Sequence, residues 1–347
     1  PEFLNLPLKE QRVIIKGKAK EWIAANSAAS RVDTTIQILR MSQAGLKEID
    51  KLMEVLDKSV IDFTDGLPAV QQKTFNKLLL LIKDLKTDVR GNILNNVENF
   101  NKIRSIKNEV DNLILTDSYL KKVGDFARIY STVAEINNNY FSAITTAFKP
   151  KLVLKEILKA NVQTTVESLT ESGISAAYGS AIKDILLKNI TTGGSYADMA
   201  EILRGTIIGK DGEDGALVKY AKTYATTAIN QFNAQYNKSV SDDLGLNWYQ
   251  YTGTIRKTSR EFCKVLKEKK YFHRNEIEGF LTGHVGDKTI PLSQSTGLPY
   301  GFDETTTANN FIILRGGWNC NHQIFPIMDS LVPDSVKREV EMRVGLV

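Results

Sequence analysis

The residues best suited to chemistry lie in the C-terminal third of the sequence. Both cysteines of the chain and two of its three histidines fall within Thr258-Ser259-Arg260-Glu261-Phe262-Cys263, Tyr271-Phe272-His273-Arg274-Asn275-Glu276-Ile277 and Gly316-Gly317-Trp318-Asn319-Cys320-Asn321-His322. Thiolate and imidazole are zinc ligands, and Cys263, His273, Cys320 and His322 make a four-ligand set. The one residue between Cys320 and His322 is a tighter spacing than most zinc motifs use. Two other readings stay open beside zinc. In one, Cys263 and Cys320 are small apolar residues of a core and the histidines hydrogen-bond locally; in the other, the two thiols form a disulfide. Two cysteines cannot build a disulfide framework and no apolar leader opens the chain, so a reducing, intracellular setting is expected, which weighs against the disulfide.

Other constellations are thinner. Asn319, Asn321 and His322 with His273 or His284 loosely match a metal-dependent nuclease site, which needs a His general base on a hairpin. Glu339-Val340-Glu341 matches the bare Glu-x-Glu of some ADP-ribosyltransferases, but it lies in a charged run where a solvated helix face explains it. The loop Gly209 to Gly215 alternates acids and glycines yet lacks the closing Glu of an EF-hand, so it reads as an exposed turn. Arg12, Lys16, Lys18 and Lys20, and Lys264, Lys267, Lys269, Lys270 and Arg274, are two basic clusters suited to sequence-independent contact with a phosphate backbone. Arg260 and Glu276 form the expected internal ion pair, and Gly316-Gly317 a tight turn. No catalytic residue is assigned. An enzyme, either a metal-dependent nuclease or a toxin-like effector centred on His273, Cys320 and His322, is the alternative function.

The elements that must position these residues are mainly helical. With 347 residues, 42% hydrophobic and 24% charged, the chain has the balance of a folded protein and the length of two domains. Lys+Arg 45 against Asp+Glu 40 gives a charge of +5, which permits contact with nucleic acid without demanding it. The longest aliphatic stretch, Leu78 to Ile82, is far short of the roughly 20 apolar residues a bilayer span needs. Pro1, Glu2 and Phe3 read as a cloning remnant. Apolar residues recur at helical spacing in Leu39, Leu46, Ile49, Met53, Leu56, Val60, in Ile93, Val97, Phe100, Ile103, Ile106, Val110, Leu113, and in Leu120, Val123, Ala127, Tyr130, Val133, Ile136, Tyr140. Three long helices packed antiparallel are expected, broken at Thr64 to Pro68 and at Thr116-Asp117-Ser118. Phe148-Lys149-Pro150-Lys151 marks a boundary. Beyond it a helix is expected from Leu152 to Ile190, then one from Tyr196 to Ile207 capped by Ser195, then one from Ala216 to Ser241. Trp248 to Thr252, Phe311 to Leu314 and His322 to Phe325 read as strands, with a short helix from Arg260 to Lys267 and a polar loop from Thr282 to Asn309. The expected fold is therefore mainly α with a small C-terminal α+β module: a bundle of long amphipathic helices over 4–148, a helical lead-in over 152–241 and the module over 245–347. Its core is expected on Trp248, Phe262, Cys263, Trp318 and Cys320.

These pieces, taken in order, resemble a family. Trp248-x-x-Tyr251-x-Gly253-Thr254, Arg260-x-Phe262-Cys263, Tyr271-Phe272-x-x-x-Glu276-Ile277 and Gly316-Gly317-Trp318-Asn319-Cys320-Asn321-His322-x-x-x-Pro326 look like the C-terminal module of phage head morphogenesis proteins, the Mu F-like minor head proteins. Thr191 to Leu203 and the helix around Tyr224 to Tyr236 look like that family's lead-in, so the resemblance covers about residues 152–326. Two positions depart from it. Many members carry an acidic residue before the Arg-x-Phe-Cys step and an Arg after the last Cys, where this chain has Thr254-Ile255-Arg256-Lys257-Thr258 and Asn321. The resemblance implies a minor structural component of a tailed-phage virion at the portal vertex or inside the head, assembled in the host cytoplasm. Its implied partners are the portal protein, the major capsid or scaffold protein, packaged DNA through backbone contacts, and other copies of itself, with no membrane. It implies no catalytic activity and no cofactor; zinc enters only through the Cys and His residues.

Overall fold

The computed structural model describes residues 29–345, and side chains from residue 42 onward apart from those of Ser172 and Ser175. Arg12, Lys16, Lys18 and Lys20, the start of the expected bundle and the side chain of Leu39 lie outside the described residues. The fold is mainly helical with a small sheet-containing C-terminal region. Helix α1 (Ala29–Thr64) is followed by α2 (Leu67–Ile82), α3 (Val97–Ile114) and α4 (Asp117–Ile144). The second helix is one more than the three periodic runs predict. Gly66, at φ 78°, turns the chain and Pro68 opens α2, where a missing N–H costs nothing. Ile93 precedes α3 in a loop, because Asn96 caps the helix three residues later by accepting from the Asn99 N–H at 2.8 Å.

The packing of this region follows the apolar stripes. Ile49, Leu52, Leu56 and Phe63 of α1 are buried, as are Val123, Phe126, Tyr130, Val133 and Tyr140 of α4, and Phe63 stacks on Phe126 with ring centroids 5.0 Å apart. The exposed Lys149-Pro150-Lys151 leads into α5 (Leu152–Thr170). The predicted single helix to Ile190 is broken at Glu171, beyond which one helical turn (Ser172–Ile174) and a π-turn at Ser175–Gly179 run into α6 (Ser180–Thr192). Helix α7 (Tyr196–Ile207) starts at Ser195, whose hydroxyl accepts from the Asp198 N–H at 3.3 Å. Helix α8 (Ala216–Leu244) runs through the middle of the molecule and buries apolar and polar residues alike, from Leu217 to Ser241. One continuous core takes in residues from Ile49 through Val240, so the helices before and after Pro150 share a single interior.

The C-terminal region is built on a three-stranded antiparallel sheet in the order β2, β1, β5, with β1 (Trp248–Thr252) central between β2 (Tyr271–His273) and β5 (Gln323–Ile327). Between them come α9 (Glu261–Lys269), α10 (Ile277–Leu281), the short pair β3 (His284–Val285) and β4 (Lys288–Thr289), and α11 (Phe311–Leu314). The predicted strand at Phe311 to Leu314 is thus one turn of helix. Such a short apolar run does not by itself distinguish the two, and here Phe311 packs against Phe262, Phe272, Phe280 and Phe302. Helix α12 (Asp334–Val344) follows, its Val340 packed with Trp248, Ile327 and Val332. Strand alternation divides the sheet. Tyr249, Tyr251, Phe272 and Ile324 face the module's own core, while Phe325, two strands away from Phe272, is buried in the core of the helices. Tyr140 of α4 donates its hydroxyl to the Pro326 carbonyl at 2.5 Å, beside that contact. No described helix is long and apolar enough to cross a membrane.

Candidate functional site

The thiols and imidazole meet where the Thr252 end of β1 faces the turn before β5. The inward side of α9 presents Phe262, Cys263, Val265 and Leu266, which places Cys263 in the helix's first turn. The chain leaves α11 through Arg315 at φ 31° and Gly317 at φ 73°, with Asn319 at φ 59°, and this reversal brings Cys320 and His322 back over Cys263. The close approach requires glycine. A Cβ on Gly316 would lie 2.8 Å from Cys320 Sγ and 3.1 Å from Cys263 Sγ, and one on Gly253 would lie 2.7 Å from His322 Cδ2. The ligand atoms of Cys263, Cys320 and His322 all lie within 4.8 Å of one another, and Cys320 Sγ is 3.8 Å from His322 Nδ1. The His322 ring stacks on Tyr251 at 5.2 Å, and the Tyr251 hydroxyl lies beside Cys263 without closing a hydrogen bond of good geometry.

The electrostatics are set by Arg315, a guanidinium only 2% exposed. Its Nη2 donates to the Asn230 carbonyl at 3.1 Å and to Gln323 Oε1 at 3.3 Å, while Nε and Nη1 meet no acceptor in hydrogen-bond geometry; the guanidinium as a whole is close enough to Cys320 to act on its thiol. Among the described residues no carboxylate pairs with it. The Cys263 thiol, hydrogen-bonded to Cys320, holds Cys320 well below the usual thiol range; His322 and Arg315 act in the same direction against burial. The same hydrogen bond and burial push Cys263 up, so Cys320 is the member of the pair that ionises. Burial raises the Tyr251 hydroxyl far above its usual value and keeps it protonated.

Helix α8 holds this arrangement from behind with side chains one helical turn apart. Thr227 Oγ1 accepts from the Asn319 N–H at 3.0 Å, Asn230 donates to the Cys320 carbonyl at 3.2 Å, and Asn233 donates to Gln323 Oε1 at 2.8 Å. Gln323 in turn donates to Asn230 Oδ1 at 2.5 Å, and Asn137 of α4 donates to Asn233 Oδ1 at 2.8 Å. In front, a cavity of about 60 Å³ lined by Thr254, Arg256, Thr258, Ser259, Arg260, Asn319 and Asn321 reaches Cys263, Cys320 and His322. A larger hollow of about 340 Å³ beside Lys238, Tyr249 and Arg274 is lined by neither cysteine nor histidine.

Several expected residues converge here and others do not. Gly253, Arg260, Phe262, Cys263, Gly316, Gly317, Cys320 and His322 surround one point; Arg260 donates to the Trp318 carbonyl at 2.8 Å and so ties α9 to the turn. His273 is not a fourth ligand. It pairs in register with Trp248, at the other end of β1 and on the opposite face from Tyr251, and its ring packs edge-on against Trp248 while Nδ1 accepts from the Asn275 N–H. His284 is exposed on β3. A nuclease site joining His273 or His284 to His322 is therefore not assembled in this structure. Trp318 is 55% exposed rather than in the core, because the turn that seats Gly316 on the sulfurs points the following side chain outward. Trp248 is buried, but in the separate cluster under α12. Glu276 does not pair with Arg260: its carboxylate accepts from the His273 N–H and pairs with Lys269 at 3.0 Å and Arg343 at 3.2 Å. Lys264 pairs with Glu261 and Arg274 with Asp242, so much of the second basic cluster is already neutralised within the chain. Glu339 pairs with Arg343 on the outer side of α12, with Val340 buried, as a solvated helix face requires.

Comparison of the chain with protein-family models, with curated proteins and with solved structures finds no match. Sequence reasoning passed over Arg315, Thr227, Asn230 and Asn233. The signal available for the last two was the run Asn230, Asn233, Asn237 on one helical face, too polar for an exposed stripe to be the only explanation.

Proposed function

We propose that this chain is a minor structural component of a tailed-phage head, acting in head assembly by docking to the portal or inner capsid proteins. The observation that supports this reading most is the convergence of the resembling segments. Gly253, Arg260-x-Phe262-Cys263 and Gly316-Gly317-x-x-Cys320-x-His322 are far apart in sequence and meet at one buried point, as segments of a shared module would. Their role there is to stiffen a small sheet and bind it to α8, which suits a docking unit more than a substrate pocket. The long helices supply the surface that reaches toward scaffold, DNA or another copy. The test is retention of the full chain on immobilised portal, major capsid and scaffold proteins encoded beside it. Stable retention on portal or capsid protein is expected. Retention on none of them, together with cleavage of DNA by the purified chain, would overturn the proposal in favour of the nuclease reading.

A further inference from the structure

We propose that Cys263, Cys320 and His322 bind one zinc ion per chain, with the fourth coordination position open to the cavity between Ser259, Arg260 and Asn321. The geometry is nearly in place. Tetrahedral zinc with Zn–S near 2.3 Å and Zn–N near 2.0–2.1 Å sets its ligand atoms about 3.5–3.8 Å apart. Here the three atoms lie within 4.8 Å, and the Cys320 Sγ to His322 Nδ1 edge is already 3.8 Å. The donors come from two supports, α9 and the turn held by α8, and the absence of a Cβ at Gly316 and Gly253 lets them approach.

The charge around the donors gives an independent argument. Arg315 is buried close to Cys320, and its Nε and Nη1 have no hydrogen-bond acceptor. A buried guanidinium without a counterion is costly, and the anion available to it is thiolate sulfur. Thiolate is also the form that binds zinc. The cavity supplies the access path and room for a solvent molecule or a partner's side chain at the fourth position. This inference concerns the Cys and His cluster alone and holds or fails independently of the phage-head reading.

The test is metal analysis of the full chain purified without chelator, with thiols counted after denaturation in the same sample. One zinc per chain and two thiols titrated without added reductant are expected, with zinc falling at least tenfold in Cys320→Ser and His322→Ala and unchanged in His273→Ala. Because the two cluster variants are in a core, the wild-type chain stripped of metal and refilled with cobalt gives a second readout: a thiolate-to-cobalt charge-transfer band in the near ultraviolet, displaced by one equivalent of zinc. A chain with no bound metal and no cobalt band, whether its thiols are free or joined as a disulfide, would overturn the proposal.

Discussion

At the scale of single residues, Gly316 is the glycine on which the approach of the two cysteines depends. Any Cβ there meets two sulfurs fixed by α9 and by the turn, so neither can retreat. Gly316→Ala should lower stability by about 1–3 kcal/mol, the usual cost of overpacking a core, measured by denaturant unfolding. Gly124 gives the opposite expectation. It lies within α4 with nothing within 4 Å of its missing Cβ, and Gly124→Ala should raise stability by about 0.5–1 kcal/mol through helix propensity. The two cysteines and His322 were recognisable in the sequence as a chemical set, because those residue types are few in the chain. Arg315 was not, since arginine is rarely buried and nothing local marks it. His273 was drawn into the set by type alone; only the register of β1 with β2 shows that it belongs to the other face.

At the scale of elements, the amide ladder on α8 is what joins the helices to the sheet. Asn233 accepts from Asn137 of α4 and donates to Gln323 of β5, and each of those partners is buried. Asn233→Ala should cost about 2 kcal/mol by leaving them under-satisfied. The double variant Asn137→Ala, Asn233→Ala should cost clearly less than the sum of the two single changes, a cycle read by urea unfolding. What was legible at this scale was whatever has a local cause: β1 over Trp248 to Thr252, the Ser195 cap and the break at Pro150 are all where residue type alone puts them. Helix α2 was missed although its Leu78 to Ile82 run was noticed, because an apolar face broken by a Gly-Leu-Pro step reads as a connection until its partners are known. Helix α11 was read as a strand for a related reason: four apolar residues carry no period.

At the scale of the whole molecule, the helical part and the C-terminal region have separate cores joined by β5, which contributes to both. Phe325 lies in the core of the helices, its ring 5.9 Å from Tyr140, while its neighbour Ile324 lies in the module. Phe325→Ala should cost about 3–5 kcal/mol. Its signature in hydrogen exchange should be distinctive: amides of β1, β2 and α9 become exposed by an opening that leaves α4 and α8 protected, whereas in the unmodified chain all exchange through a common unfolding step. The division into helical and α+β regions was visible as a change of composition after Gly245, but the shared strand was not, since a buried β5 with all five residues inside has no alternation to betray two different neighbours. The position of β5 also sets an order of events during synthesis. Helices α1 and α4 leave the ribosome long before residues 323–327 exist, and until then the seat of Phe325 beside Tyr140 is open to water. The helices made first therefore keep an open apolar seat while everything between Tyr140 and β5 is synthesised, and the arrival of that strand is the step that closes it.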